Sequence, residues 1–166
     1  DPILEVAEVL AKYKKHDGTN IWHHADAAYG GFFKTLASET GGYISKQLTG
    51  LSEVTSVSID PHKLGYVPFS SGAFLVRDRA DYPVSVFSAP YISFSGELET
   101  SIGQHTLEGS RSAAGAVATY LTGKTIGFDK NGFGRILKRT IENRNNLAIQ
   151  LITKVQTVRV APHSHT

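Results

Sequence analysis

A β-strand that runs into a proline and then a lysine sets the terms for this chain. Val54 to Ile59 is apolar and β-branched, and Asp60-Pro61-His62-Lys63 stops it. Proline brings no amide hydrogen to a ladder, so a central strand does not continue through Pro61. His62 and Lys63 are therefore presented at a carboxyl end, where open α/β sheets place their ligands. A second strand, Ile21 to Asp26, runs into Ala27-Ala28-Tyr29-Gly30-Gly31. Asp26 lies 37 residues before Lys63.

The surrounding pattern is that of an α/β chain. Asp1 and Pro2 read as a helix start. Ile3, Leu4, Val6, Ala7, Val9, Leu10 and Tyr13 make a helical apolar face, Lys12, Lys14 and Lys15 suit the dipole of the last turn, and His16-Asp17-Gly18 ends the helix. Phe32 to Ser38 is expected as a short helix and Ile44 to Leu51 as a further turn or two. Gly72 to Arg77 is the next strand, close enough to Lys63 for a neighbouring position and for antiparallel pairing. Arg79 to Gly96 has no clear period and reads as loop. Thr106 to Ile126 is expected as one long helix interrupted near Gly115, and Gly132 to Val155 as a second. In the second, Arg135, Lys138, Arg139, Glu142 and Arg144 make one side charged. Val158 to Ala161 is expected to begin a last strand, before a frayed tail.

An aspartate at one strand end and a lysine at the next suit pyridoxal phosphate chemistry. The carboxylate keeps a proton on the pyridine nitrogen, and the amine bonds covalently to the cofactor aldehyde. A strand-end aspartate also commonly caps its own loop, but capping does not call for the small Ala27 and Ala28 beside it, which leave room for a flat ring. A lysine that forms such a bond must be neutral part of the time, and apolar surroundings favour that state.

HADAAYGG followed by SIDPHK resembles the group II pyridoxal-phosphate-dependent amino-acid decarboxylases, with wording most similar to bacterial tyrosine decarboxylases. The resemblance covers nearly the whole chain. It implies an α/β fold, part of the large domain of the aspartate-aminotransferase-like (fold type I) enzymes, with a mainly parallel sheet and flanking helices. Residues 1–100 would hold the sheet and the cofactor lysine, and residues 101–166 long helices leading towards a C-terminal domain. Lys63 would carry pyridoxal 5'-phosphate, Asp26 would hold the ring nitrogen, and Ala28 would pack on the ring. His62 would lie near the cofactor phosphate and the substrate, and His24 near the reacting centre. Tyr91, 28 residues beyond Lys63, would return a proton to the substrate carbon, with His62 and Tyr82 as competitors. Glu108-Gly109-Ser110-Arg111 resembles a family segment near the subunit interface.

The substrate implied is a small-molecule L-amino acid, aromatic and tyrosine first, with aspartate or glutamate as the alternative. A non-catalytic assembly piece is the reading from another class. The resemblance also implies a homodimer, and a preceding part or companion chain that completes the phosphate cup. The chain opens on Asp1 and has no methionine, which is expected of a piece of a longer polypeptide.

Composition narrows the alternatives. Seventeen basic against fifteen acidic residues give a net charge of +2, which provides no face for nucleic acid. No apolar run approaches the roughly 18 residues of a membrane helix, so no membrane partner is expected and a cytoplasmic setting fits. Without cysteine there is no thiol chemistry. Gly123-Lys124-Thr125 lacks the first glycine of a phosphate-binding loop, because position 118 is Ala118. His23, His24, His62 and His105 do not have the spacing of a metal site, and no serine-hydrolase elbow is present.

Overall fold

The computed structural model describes residues 2–36, 42–85, 111–155 and 157–159. Helix α1 (Ile3–Asp17) leads into strand β1 (His24–Asp26). A 3-10 helix (Gly31–Leu36), helix α2 (Gly42–Thr49), a 3-10 turn (Gly50–Ser52) and strand β2 (Ser56–Ile59) follow. Then come strand β3 (Ala73–Val76), a 3-10 helix (Arg79–Ser85), helix α3 (Ala114–Thr125) and helix α4 (Phe133–Lys154).

The sheet has the order β1-β2-β3. β1 and β2 are parallel, with His24 opposite Ser56 and Asp26 opposite Ser58. β2 and β3 are antiparallel, with Ser56 opposite Val76 and Ser58 opposite Phe74. The expectation of a mainly parallel sheet is therefore corrected among the described residues to one pair of each kind. The reason is the short path between β2 and β3. Thirteen residues separate Ile59 from Ala73, and they close on themselves around Lys63, leaving no crossover helix to reverse the chain direction.

Side chains alternate across a strand, so register fixes two faces. Ala25, Val57 and Ile59 share one face. His24, Asp26, Ser56, Ser58 and Phe74 share the other. Ile59 packs against a core of Phe32, Leu36, Phe133 and Leu137. Phe133, Leu137 and Ile141 stand at helical spacing along α4 and meet the 3-10 helix from the other side. The rings of Phe32, Phe128 and Phe133 lie 5.2–5.8 Å apart, mostly tilted or edge-on.

Several other expectations shift. α1 ends as anticipated, with Gly18 left-handed at φ 77° and its N–H on the Lys14 carbonyl. Its apolar face, however, buries no residue, and Val6, Val9 and Tyr13 are exposed. α1 is held instead at Leu4, whose N–H donates to Gln47 Oε1 at 3.0 Å and whose backbone lies against Gly50. The helix expected from Thr106 begins at Ala114 among the described residues. Gly115 does not interrupt it: a Cβ there would lie 2.3 Å from the Ser70 carbonyl oxygen, so this glycine lets α3 touch the 70–71 backbone. The segment from Arg79, read as loop, forms a 3-10 helix to Ser85. Val158 and Arg159 form no strand. Tyr91, His105, Glu108 to Ser110 and the boundary at residue 100 lie outside the described residues.

Candidate functional site

The two parallel strands end side by side, and the backbone stitches their ends together. Ala27 N–H donates to the Ser58 carbonyl at 3.0 Å, and Asp60 N–H to the Ala28 carbonyl at 3.1 Å. Asp26 and Lys63 thus leave the same end of adjacent strands.

Asp26 is exposed on the open face of the sheet. Its Oδ1 accepts the Ala28 N–H at 3.1 Å. The loop-capping role weighed for a strand-end aspartate is therefore present, and it occupies one oxygen only. The cap uses Oδ1, and among the described residues Oδ2 has no hydrogen-bond partner. Gly30 adds no bulk nearby: a Cβ there would meet nothing within 4 Å.

Lys63 sits in a turn that is closed at several points. Its N–H donates to the Asp60 carbonyl, Tyr66 N–H to the Lys63 carbonyl, and Val67 N–H to the Pro61 carbonyl. Leu64 and the Tyr66 ring tie this turn to the Phe133 core. The apolar surroundings expected for the lysine are not what the structure shows. The side chain is 38% exposed, and Nζ lies 2.8 Å from Asp60 Oδ2. The β2 strand ends before Pro61 and the chain turns there, so the amine emerges towards solvent and a carboxylate partners it.

His62 is half-buried, and its Nε2 approaches the same Asp60 oxygen at 3.8 Å. Its Nδ1 meets the Ser71 backbone, which offers both an N–H, at 3.1 Å, and a carbonyl. An unprotonated Nδ1 accepts from the first and a protonated one donates to the second, so Ser71 serves the ring in either state. The Phe69 ring stands edge-on at 4.9 Å. Ser71 is held in turn by α3: its hydroxyl lies 2.8 Å from Thr119 Oγ1 and 3.2 Å from the Gly115 carbonyl.

His24 lies on the open face beside Asp26. Its Nδ1 meets Ser56 Oγ at 2.8 Å and its Nε2 meets Ser58 Oγ at 2.9 Å, while its ring stacks on Phe74. His23 points the other way, as strand alternation requires. Burial first, and then the Arg77 charge and the neighbouring His24 ring, hold its pKa below the ordinary histidine value. Among the described residues its buried Nδ1 has no hydrogen-bond partner.

The structure thus brings Asp26, Ala28, His62 and Lys63 to one end of the parallel pair, with His24 at the start of β1, two residues back on the same face as Asp26. Sequence reasoning missed Asp60, Ser71, Ser56 and Ser58. Asp60 stood inside the quoted motif, and the two serines were legible from strand alternation. Ser71 carried no local signal, because its partners lie 44 and 48 residues away. Among the described residues no three metal-binding side chains gather.

A carboxylate with one open oxygen, a primary amine, a histidine and a small residue between them fit pyridoxal phosphate. Asp26 would hold the ring nitrogen and Lys63 the aldehyde carbon. The family model for the pyridoxal-dependent decarboxylase conserved domain matches residues 1–161. An L-tyrosine decarboxylase of Enterococcus faecium is 27% identical over 197 aligned positions, covering 99% of this chain and 32% of that protein. A probable L-tyrosine/L-aspartate decarboxylase of Methanothermobacter thermautotrophicus is 31% identical over 141 positions, covering 85% and 35%. Among solved structures, a Lactobacillus brevis glutamate decarboxylase superposes with a TM-score of 0.68 at 26% identity, over 92% of this chain and 32% of that one. The chain spans about a third of the length of these relatives.

Proposed function

This chain belongs to the pyridoxal-dependent decarboxylase family, and from that premise we propose that it forms part of an enzyme converting an L-amino acid to its amine and CO2. The observation that carries the proposal is the pairing of Asp26 and Lys63 at the stitched ends of two parallel strands. Pyridoxal 5'-phosphate, when bound, supplies the sink for the electron pair released as the Cα–carboxylate bond breaks. Asp26 keeps the proton on the ring nitrogen through its open oxygen. Lys63 holds the cofactor between turnovers and yields its place to the substrate amine. Ala28 leaves room for the ring, and His24 lies beside it on the open face. His62, clamped by Ser71, or Tyr91 returns a proton to Cα after CO2 departs.

The substrate proposed first is tyrosine, on the likeness to the Enterococcus faecium protein. One observation favours a second reading, an acidic amino acid. The Enterococcus faecium alignment runs over 197 positions against 166 residues here, so that relative carries a substantial extra segment. The Methanothermobacter thermautotrophicus protein, whose description includes aspartate, matches 85% of the chain over only 141 positions, with no such excess. A homodimeric, cytoplasmic enzyme completed by further polypeptide belongs to the same proposal. In support, α3 and α4 expose Val117, Tyr120, Leu121, Leu147, Ile149 and Ile152, and exposed apolar clusters mark interaction surfaces.

The test is carried out on the full-length protein. Amine production is followed with tyrosine, aspartate and glutamate, and a borohydride-stable adduct is mapped to Lys63. Asp26→Asn should leave the circular dichroism spectrum unchanged and lower turnover by about 10²–10⁴-fold. A near-wild-type rate from that variant, or an adduct on another lysine, would overturn the assignment.

A further inference from the structure

Beside Asp26 runs a line of hydrogen bonds that the reaction as described does not use. It starts at Trp22, whose indole N–H donates to Ser56 Oγ at 2.8 Å. The same oxygen meets His24 Nδ1 at 2.8 Å, and His24 Nε2 meets Ser58 Oγ at 2.9 Å. Ser56 is 1% exposed, so water does not take its hydroxyl proton. Buried hydroxyl protons find acceptors. Indole nitrogen only donates, which leaves His24 Nδ1 as the acceptor that Ser56 faces. Neutral His24 therefore carries its proton on Nε2 and donates it to Ser58. Ser58 accepts with a lone pair and keeps its own proton. No acceptor among the described residues is recorded for that proton. Ser58 stands directly opposite Asp26 across the parallel pair, about 4.8 Å away at strand spacing, on the same face.

We propose that Trp22 and Ser56 are positioning residues that hold His24 in a single tautomer, and that the line ends in Ser58 as a hydroxyl donor aimed at the molecule held beside Asp26. The direction of the line follows from its first member. The indole N–H cannot take the buried Ser56 proton, so that proton goes to His24 Nδ1 and the next bond points on from His24 to Ser58. The stacked Phe74 ring keeps the imidazole in the plane the two serines require. The identity of the molecule beside Asp26 rests on the function proposed above, whereas the tautomer does not.

Nitrogen-15 spectra of histidine-labelled full-length protein, free of added cofactor, test this. His24 is assigned by the signals missing in H24Q. In the wild type, Nδ1 should show the shift of a bare acceptor nitrogen and Nε2 that of an N–H. S56A should lose this single-tautomer pattern. W22F, which removes a donor to Ser56 Oγ, should move each His24 nitrogen the way S56A does, by a smaller shift. Trp22 is partly exposed, so W22F keeps the test open if S56A fails to fold. A proton on Nδ1 in the wild type, or His24 signals unmoved in W22F, would overturn the proposal. Borohydride trapping at Lys63 is measured separately. Its failure would remove the decarboxylase reading and leave the tautomer result standing.

Discussion

Gly65 lies two residues beyond Lys63, and replacing it with alanine should damage both the fold and the lysine's presentation. The added Cβ would lie 2.5 Å from the Pro61 carbonyl oxygen, 2.7 Å from Pro61 Cα and 2.7 Å from Phe32 Cζ. Carbon atoms rest about 3.5–4.0 Å apart, so each neighbour must retreat by roughly 1 Å. Neither side can do so cheaply. The Pro61 carbonyl accepts the Val67 N–H that closes the turn, and Phe32 belongs to the buried core. Overpacking costs about 1–3 kcal/mol, and a weakened hydrogen bond adds about 1 kcal/mol. The stiffer unfolded chain returns about 0.4–1 kcal/mol. The net expectation is a loss of about 2–3 kcal/mol. Two other glycines calibrate it. At Gly31 the new Cβ meets the end of the Ile59 side chain at 2.8 Å; that chain can shift, so the cost should be about 1 kcal/mol. At Gly30 it meets nothing within 4 Å, so the effect should stay within about 0.5 kcal/mol. Urea unfolding should order the variants Gly30→Ala, Gly31→Ala, Gly65→Ala by falling midpoint at constant slope. Adduct formation at Lys63 should slow most in Gly65→Ala. A Gly65→Ala midpoint equal to that of Gly30→Ala would refute the packing argument.

Leu137 is fully buried against Phe32, Leu36 and Phe133, so Leu137→Ala should cost about 2–5 kcal/mol, read from the same urea midpoints. His23 should make stability depend on pH. Its folded pKa is lowered by burial and by Arg77 and His24, so the unfolded chain binds the proton first. Its contribution is then whole above about pH 6.5 and is lost as pH falls towards the folded value. Urea midpoints should fall between about pH 7.5 and 5.5, less steeply in His23→Gln, and equal slopes in the two proteins would exclude His23 as the cause.

How far the sequence could be read depended on how local each cause was. Strand ends at Asp26 and Pro61 are written in neighbouring residues, and both were found. The helix ending at Gly18 was legible because left-handed backbone calls for glycine there. The start of α3 was not. Ala113 suits a helix by propensity, yet among the described residues the helical turns begin at Ala114, where Gly115 meets the Ser70 backbone. That contact joins residues 45 positions apart in the chain, beyond any periodicity. The burial expected for Lys63 failed for a related reason. The apolar run before it described the strand, while the exposure of the amine depends on how the turn after Pro61 folds back and on Asp60 standing 2.8 Å away.

The face of the sheet to which the proposal assigns the chemistry is the one that the described helices leave open. α4 and the first 3-10 helix both pack on the Ile59 side, and that side holds the buried rings. His24, Asp26 and Ser58 face the other way, yet they are already ordered, since each is fixed by a bond within the described chain: Asp26 by Ala28 N–H, His24 by two serines, Ser58 by His24. A polar face ordered before anything covers it differs from an unfinished core. An apolar face left open would drive collapse or association without regard to geometry, whereas a hydrogen-bonded one keeps its donors and acceptors in place and selects a partner by their positions. The core on the Ile59 side therefore supplies stability, and the opposite face can present an open carboxylate oxygen and a hydroxyl proton in fixed positions.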